Sequence, residues 1–155
     1  MSTKNIVIGI SILVLIGGAG WFITSNYGSS LFNKNEVGVM YKNADRDMIV
    51  VDNVTPGVTV LPQFKVFGKA RGTWYFEASF PIEVVSQNGK QIAMGHAVAD
   101  GDWMTEEFVP FSAEVTLTEN YGGPATLILH NDNPSGDPSQ DRSLEIPIVI
   151  LATKS

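Results

Sequence analysis

The chain has 155 residues, of which 44% are hydrophobic, and this is enough for one folded domain with a core. Sixteen acidic and ten basic residues give a formal net charge of -6, so few cations remain to neutralise phosphates and we expect no nucleic-acid partner. Cysteine is absent, which excludes disulfides, thiolate metal sites, cysteine nucleophiles and a lipoprotein anchor.

The first predicted element is an uncharged apolar segment, IVIGISILVLIGGAGWFI, from Ile6 to Ile23. A helix of about eighteen residues nearly crosses the ~30 Å hydrocarbon core of a bilayer. Lys4 and the free amino terminus precede this segment, whereas the flank that follows it, TSNYGSS, is uncharged. The positive-inside rule therefore predicts that residues 1–23 are a membrane anchor with a cytoplasmic amino terminus and an extracytoplasmic remainder.

Two other interpretations of this segment stay open. Gly17 and Ala19 form a small-x-small cleavage site, so the segment could be a signal peptide, and the mature protein would then be secreted. It could also be a buried core helix, although no later segment is typical of a packing partner. Trp21 and Tyr27 lie where an outer aromatic belt would be, which favours the retained anchor.

The next elements are a linker and a β domain. Residues 24–47 are rich in Asn, Gly, Ser and Lys, lack periodicity, and are predicted to be a linker. Residues 48–155 contain short runs of β-forming residues separated by Gly, Pro and Asn, which is typical of an all-β sandwich. About seven antiparallel strands are predicted, at 48–51, 64–70, 73–85, 91–98, 112–118, 125–130 and 144–151.

The third predicted strand, in TWYFEASFPIEVV, alternates between two faces. Alternation places Trp74, Phe76 and Ala78 on one face and predicts that Trp74 is a core residue. Pro81 then predicts a bend or a bulge.

Two further signals concern strand ends and edges. Asn88-Gly89 predicts a two-residue type I′ hairpin turn, because that turn needs positive φ at both central residues. Pro147 predicts that the last strand lies at a sheet edge or carries a bulge.

Several rare residue combinations resemble a known family. They are G-x-A-R-G-x-W, F-E-A-S-F-P, G-D-W-M-T, F-V-P-F and D-N-P-S-G. With the segments around them, they are similar to the Gmad2 family, the immunoglobulin-like domain of bacterial spore germination, from roughly Asn53 to Ile150. The resemblance implies an immunoglobulin-like sandwich on the outer side of a bacterial membrane, and it implies no particular ligand or activity.

The sequence contains no motif that indicates catalysis. Its two histidines, His96 and His130, lie in predicted strands, and it has no glycine-rich phosphate loop, H-E-x-x-H pair or G-x-S-x-G elbow. We therefore expect neither enzymatic activity nor a cofactor. A hydrolase would require clustered carboxylates in a pocket with perturbed pKa values.

The acidic stretch NDNPSGDPSQD, from Asn131 to Asp141, could be a calcium loop, a ligand-binding loop or a chain reversal. With Gly136 at the centre of an EF-hand loop, the twelfth position would be Arg142 instead of a bidentate glutamate, so that motif fails. Asn-Pro and Asp-Pro steps are common in turns, and a turn is the preferred interpretation over a metal site.

If successive strands run antiparallel, three connections emerge at one end of the sandwich: the Arg71-Gly72 turn, residues 99–111 and residues 131–143. We call this end the loop pole. Its candidate functional residues are Arg71, Asp102, Trp103, Asp132, Asn133 and Asp137.

Two interpretations of the loop pole stay open. Its side chains could form a recognition surface, or Arg71 could pair with a loop carboxylate while Trp103 covers the core end and locks the loops. The sequence predicts that the stretch from Asn131 to Asp141 is ordered mainly by its own turns and by contacts to the GDWMT loop, through Asp102, Trp103 and Asn133.

The function predicted from these features is that of a membrane-anchored, extracytoplasmic immunoglobulin-like module of a bacterial cell envelope. It would bind an envelope protein or glycan without chemistry of its own, and it could be linked to spore germination. The alternative is a purely structural subunit of an envelope assembly.

Overall fold

The computed structural model describes residues 38–153, so the predicted anchor from Ile6 to Ile23 lies outside the described residues. None of the helices within the described range has the length and apolar character needed to span a bilayer. Two short 3-10 helices, Gly72–Trp74 and Pro138–Gln140, accompany the strands. The strands are β1 (Met40–Lys42), β2 (Ile49–Val51), β3 (Thr59–Val60), β4 (Gln63–Arg71), β5 (Ser79–Ser86), β6 (Gln91–Ala99), β7 (Phe108–Thr116), β8 (Gly123–His130) and β9 (Ser143–Ile150).

The strands follow the order β1-β9-β8-β5-β6-β7-β4-β2, and all neighbours in this order are antiparallel. The short β3 pairs in parallel with the end of β9. Strands β6 and β7 pair at only two positions, and the inward-facing rings of Phe80 and Phe111 meet with centroids 5.0 Å apart. The sheet therefore closes into two layers, β2-β4-β7 and β6-β5-β8-β9, as in an immunoglobulin-like sandwich. The all-β prediction is confirmed.

Alternation along the strands builds the core as predicted for β4 and β9. In β4, Val66 and Ala70 are buried, whereas Phe67 and the neighbouring lysines face outward. In β9 the buried hydrophobic residues are Leu144, Ile146, Ile148 and Ile150. Burial of one face of each strand supplies most of the driving force for folding, at roughly 25 cal/mol per Å² of apolar surface.

The segment before β5 differs from the predicted continuous strand. An extended strand would send Trp74 and Tyr75 to opposite faces, but both are buried because the 3-10 helix turns the chain there. Glu77 and Ala78 follow with φ values of 50° and 63°, and they form a tight turn closed by two hydrogen bonds between Phe76 and Ser79. The predicted core position of Trp74 is confirmed. Phe76, which was predicted to lie on the same face as Trp74, is instead 41% exposed.

The hairpin at Asn88-Gly89 is confirmed, but its turn type is not the predicted one. Gly89 has φ 83°, whereas Asn88 has no positive φ. The N–H of Gly89 donates to the carbonyl of Ser86, whose own N–H donates to Lys90. This is a three-residue loop in which only the glycine adopts the left-handed conformation.

Neither Pro81 nor Pro147, the two prolines for which a bulge was considered, lies at a bulge. The irregularity in β5 lies between Val84 and Val85, away from Pro81. Pro147 lies inside the sheet, since β9 pairs with β8 on one side and with β1 and β3 on the other. The carbonyl of Pro147 points to the side of β1 and β3, where it accepts a hydrogen bond from the N–H of Gly57. The N–H that proline lacks would point to the same side, at a position between the residues that pair with β1 and those that pair with β3.

The predicted linker also extends too far along the chain. Met40–Lys42 forms β1 and pairs with β9, and the half-buried Tyr41 packs against the core. Three residues of edge strand are too short to show periodicity in the sequence. The β domain therefore starts before Met48.

Candidate functional site

The loop pole is organised around the 3-10 helix Gly72–Trp74. Gly72 is buried, and a Cβ there would lie 1.8 Å from the carbonyl oxygen of Thr105 and 2.4 Å from that of Trp103. Only glycine allows this approach of two backbones. The segment 100–107, which we call the Trp103 loop, therefore rests directly on Gly72.

Arg71, at the end of β4, also holds the Trp103 loop in place. Its Nε donates to the carbonyl of Asp47 at 2.8 Å, and its Nη1 donates to that of Glu106 at 3.3 Å. The guanidinium lies 4.2 Å from the ring centroid of Phe108. It also lies 3.6 Å from the carboxylate of Glu107, but that side chain is 84% exposed, so the ion pair contributes little. Arg71 thus joins two loops mainly through carbonyl groups.

The other candidates in the Trp103 loop have local contacts. Trp103 is half-buried and packs against the core cluster, which agrees with the interpretation that it covers the core end. Asp102 is exposed, and its Oδ1 accepts a hydrogen bond of 3.0 Å from the N–H of Met104. Asp102 therefore forms an Asx turn within its own loop.

The second long loop, residues 131–142, is called the Asn133 loop. At its base, the Asn131 side chain accepts from the N–H of Arg142 at 2.7 Å and donates to the carbonyl of Gln140 at 3.1 Å. At its centre, the Nδ2 of Asn133 donates at 2.8 Å both to the carbonyl of Asp137 and to the carboxylate of Asp141. Amide side chains therefore replace the backbone ladder inside this loop.

Asp137 caps the 3-10 helix Pro138–Gln140. Its Oδ1 accepts a hydrogen bond of 2.9 Å from the N–H of Ser139. The backbone and side-chain hydrogen bonds of Ser139 hold the pKa of Asp137 below its ordinary value of 3.8. The carboxylate is thus stabilised in its charged form as a helix cap.

The two long loops rest on different parts of the pole. The N–H of Asp132 donates to the carbonyl of Trp74 at 3.0 Å, and Asn43 donates to the carbonyl of Asp141 at 3.0 Å. Within residues 38–153, no hydrogen bond or ion pair joins the Trp103 loop to the Asn133 loop. The predicted connection through Asp102, Trp103 and Asn133 is therefore not made by hydrogen bonds or ion pairs of the described residues, and each loop instead meets the 3-10 helix separately.

A groove of about 780 Å³ lies beside the Asn133 loop, with Met48 and Thr73 on its other side. The side chains of Asp132, Gln140 and Arg142 line it, and in the described part of the chain none of the three makes a side-chain hydrogen bond or an ion pair. The volume lies in the range of small-ligand sites. The groove offers a carboxylate, an amide and a guanidinium to a polar ligand.

Sequence reasoning missed Gln140 and Arg142. Arg142 is the only cation in an otherwise acidic stretch, and this contrast was a usable signal. Among the described residues, no three His, Asp or Glu side chains are grouped so as to hold a metal ion. Asp137 and Asp141 already accept hydrogen bonds from Ser139 and Asn133.

The model of the Gmad2 family, described as the immunoglobulin-like domain of bacterial spore germination, matches residues 48–137. No curated protein matches the chain. The matched range runs from the start of β2 into the Asn133 loop and includes both Arg71 and the Trp103 loop. Since this range is more than half of the chain, the protein belongs to the Gmad2 family of immunoglobulin-like domains of bacterial spore germination.

Proposed function

We propose that this protein is a germination-related binding module of a bacterial cell envelope, and that it recognises an envelope protein or glycan without chemistry of its own. The observation that carries the proposal is the groove beside the Asn133 loop. Its walls present Asp132, Gln140 and Arg142 with side chains that are not engaged elsewhere in the described residues. The family supports the link to germination.

The construction of the groove favours binding over a purely structural role. Asn131 and Asn133 bond to the backbone of their own loop, so the loop is ordered before any ligand arrives. Ordering a loop on binding would reduce affinity, and a loop that is already ordered avoids this cost. The remaining donors and acceptors suit hydroxyl, amide or charged groups of a polar ligand.

We also propose that Ile6 to Ile23 anchors the protein with its amino terminus in the cytoplasm and the β domain outside. The support is the uncharged apolar run after Lys4. Cell fractionation with external protease tests it: the intact chain should sediment with membranes and lose its β domain to the protease. Recovery of the intact chain in the soluble cytoplasm would contradict the anchor, whereas a shortened chain in the medium would indicate cleavage near Ala19.

Binding is tested by co-sedimentation of the full chain, purified in detergent, with isolated cell envelope. Arg142→Ala and Asp132→Ala should each weaken binding by about tenfold or more while the melting temperature stays unchanged. Lys90→Ala is the matched control, because it also removes a cation. Lys90 lies in the Asn88-Gly89 hairpin, outside the groove, and forms an ion pair with Glu119. Equal binding of the parent and Arg142→Ala would contradict the proposal that the groove is the binding site. A parent that does not bind would favour the alternative of a purely structural subunit.

A further inference from the structure

Two opposite charges line the groove beside the Asn133 loop without pairing with each other. Asp132 and Arg142 are both half-buried, so each charge has lost part of its hydration. Within residues 38–153, neither side chain forms an ion pair or a hydrogen bond. A ligand that carries groups of both signs would supply the two missing partners.

The main chain that carries these two charges is fixed in place. The N–H of Asp132 donates to the carbonyl of Trp74 at 3.0 Å. The N–H of Arg142 donates to the Oδ1 of Asn131 at 2.7 Å, and the carbonyl of Arg142 accepts from the N–H of Asn131 at 3.1 Å. These two bonds continue the ladder between β8 and β9. Both side chains therefore project from positions that are set before a ligand arrives, which lowers the cost of binding.

The opposite wall of the groove contributes an apolar side chain, also from a fixed position. Met48 is half-buried and packs against the core cluster. Its N–H donates to the carbonyl of Asp45 at 3.1 Å, and its carbonyl accepts from the N–H of Arg71 at 2.8 Å. A methionine side chain adapts to apolar groups of different shapes. The groove thus offers a negative, a positive and an apolar group to one ligand.

These three groups match the three substituents of an α-amino acid. We propose that the groove recognises a zwitterionic α-amino-acid unit with an apolar side chain. The ammonium group of this unit pairs with Asp132, its carboxylate accepts two parallel hydrogen bonds from the guanidinium of Arg142, and its side chain contacts Met48. The unit is either a free amino acid or one that is attached to an envelope component through its side chain. This inference rests on the proposed function of the groove and names the class of its ligand.

Other small polar ligands use the groove less completely. An anion alone would pair with Arg142 but would be repelled by Asp132, and a cation alone would meet the reverse arrangement. A neutral sugar would pair with neither charge. A zwitterion is the class of ligand that gives both half-buried charges a partner.

The test is an NMR titration of the full chain in detergent with leucine, for which we expect a Kd of about 1 mM or below. Leucinamide lacks the carboxylate and 4-methylpentanoate lacks the ammonium group, so each should bind about tenfold more weakly than leucine or worse. Arg142→Gln should weaken leucine binding by about tenfold without weakening that of leucinamide, and Asp132→Asn should do so without weakening that of 4-methylpentanoate. Lys90→Gln, which removes a cation outside the groove, should bind leucine like the parent.

The outcomes separate this inference from the proposed function. Leucine that binds no more tightly than leucinamide, or an Arg142→Gln variant that binds leucine like the parent, would overturn the inference, even if envelope binding still depends on Arg142. Leucine binding that depends on both charges, in a parent that does not sediment with envelope, would support the inference and contradict the proposed function. Where both bindings occur, release from the envelope by excess leucine indicates an envelope-linked unit, and retention indicates that the free amino acid is the ligand.

Discussion

The two long loops of the loop pole are held by different kinds of contact. The Trp103 loop is held from outside, since its backbone lies on Gly72 and its carbonyl at Glu106 accepts from Arg71. The Asn133 loop is held largely from inside, since the side chains of Asn131 and Asn133 bond to the backbone of the same loop, in addition to the bonds that Trp74 and Asn43 make to its two ends. The order of a loop can therefore be predicted from its own sequence only when its side chains can satisfy its own backbone.

The largest effect is expected from removing the support that both loops share. Trp74→Ala should lower the free energy of unfolding by about 3 to 5 kcal/mol, because the side chain is 1% exposed and packs against Phe80. Urea unfolding measures this loss. Trp74→Phe is the milder control, since it keeps a ring and removes an indole N–H that has no hydrogen-bond partner among residues 38–153. A Trp74→Ala variant as stable as the parent would contradict the core position of Trp74.

The next effect should be confined to the Trp103 loop. Gly72→Ala forces a Cβ against the carbonyls of Trp103 and Thr105, and it should cost about 2 to 3 kcal/mol. Hydrogen exchange should quicken at the N–H of Thr105, while that of Gly136 in the Asn133 loop stays protected. Equal loss of protection in both loops would contradict the separation described above.

The opposite pattern is expected for the Asn133 loop. Asn133→Ala removes two donated hydrogen bonds and one accepted from Ser135, and it should cost about 1 to 2 kcal/mol. Asp102→Ala removes one Asx-turn bond and should cost about 0.5 kcal/mol. Hydrogen exchange at Gly136 and Met104 assigns each loss to its loop, and a larger effect of Asp102→Ala would reverse the comparison.

The smallest effect is a dependence on pH that only the Asn133 loop should show through Asp137. Because the folded-state pKa of this carboxyl is lowered from 3.8, its contribution to stability is present above about pH 3.8 and is lost as the pH falls through the lower value. The amide resonance of Ser139, followed by NMR from neutral pH downward, should shift in that range. In Asp137→Asn the shift should disappear, and its persistence would mean that another group causes it.

Part of the site was predictable because it depends on chain order. Antiparallel succession of strands was enough to place Arg71, the Trp103 loop and the Asn133 loop at one end of the sandwich. The groove was not predictable, since Met48 and Thr73 reach it from segments distant in sequence. Asn43 was missed because a segment without periodicity was interpreted as a linker.

The sequence by itself determined the all-β class, the faces of β4 and β9, the core position of Trp74 and the family. Alternating burial and turn-forming residues are local properties, and local patterns carry them. Only the tertiary structure decided where left-handed backbone occurs: Glu77 and Ala78 adopt it, although it costs non-glycine residues about 1 to 2 kcal/mol each, whereas Asn88 does not. The reason is that burial of both Trp74 and Tyr75 sets the path of the chain before β5, and this burial depends on residues that are distant in sequence.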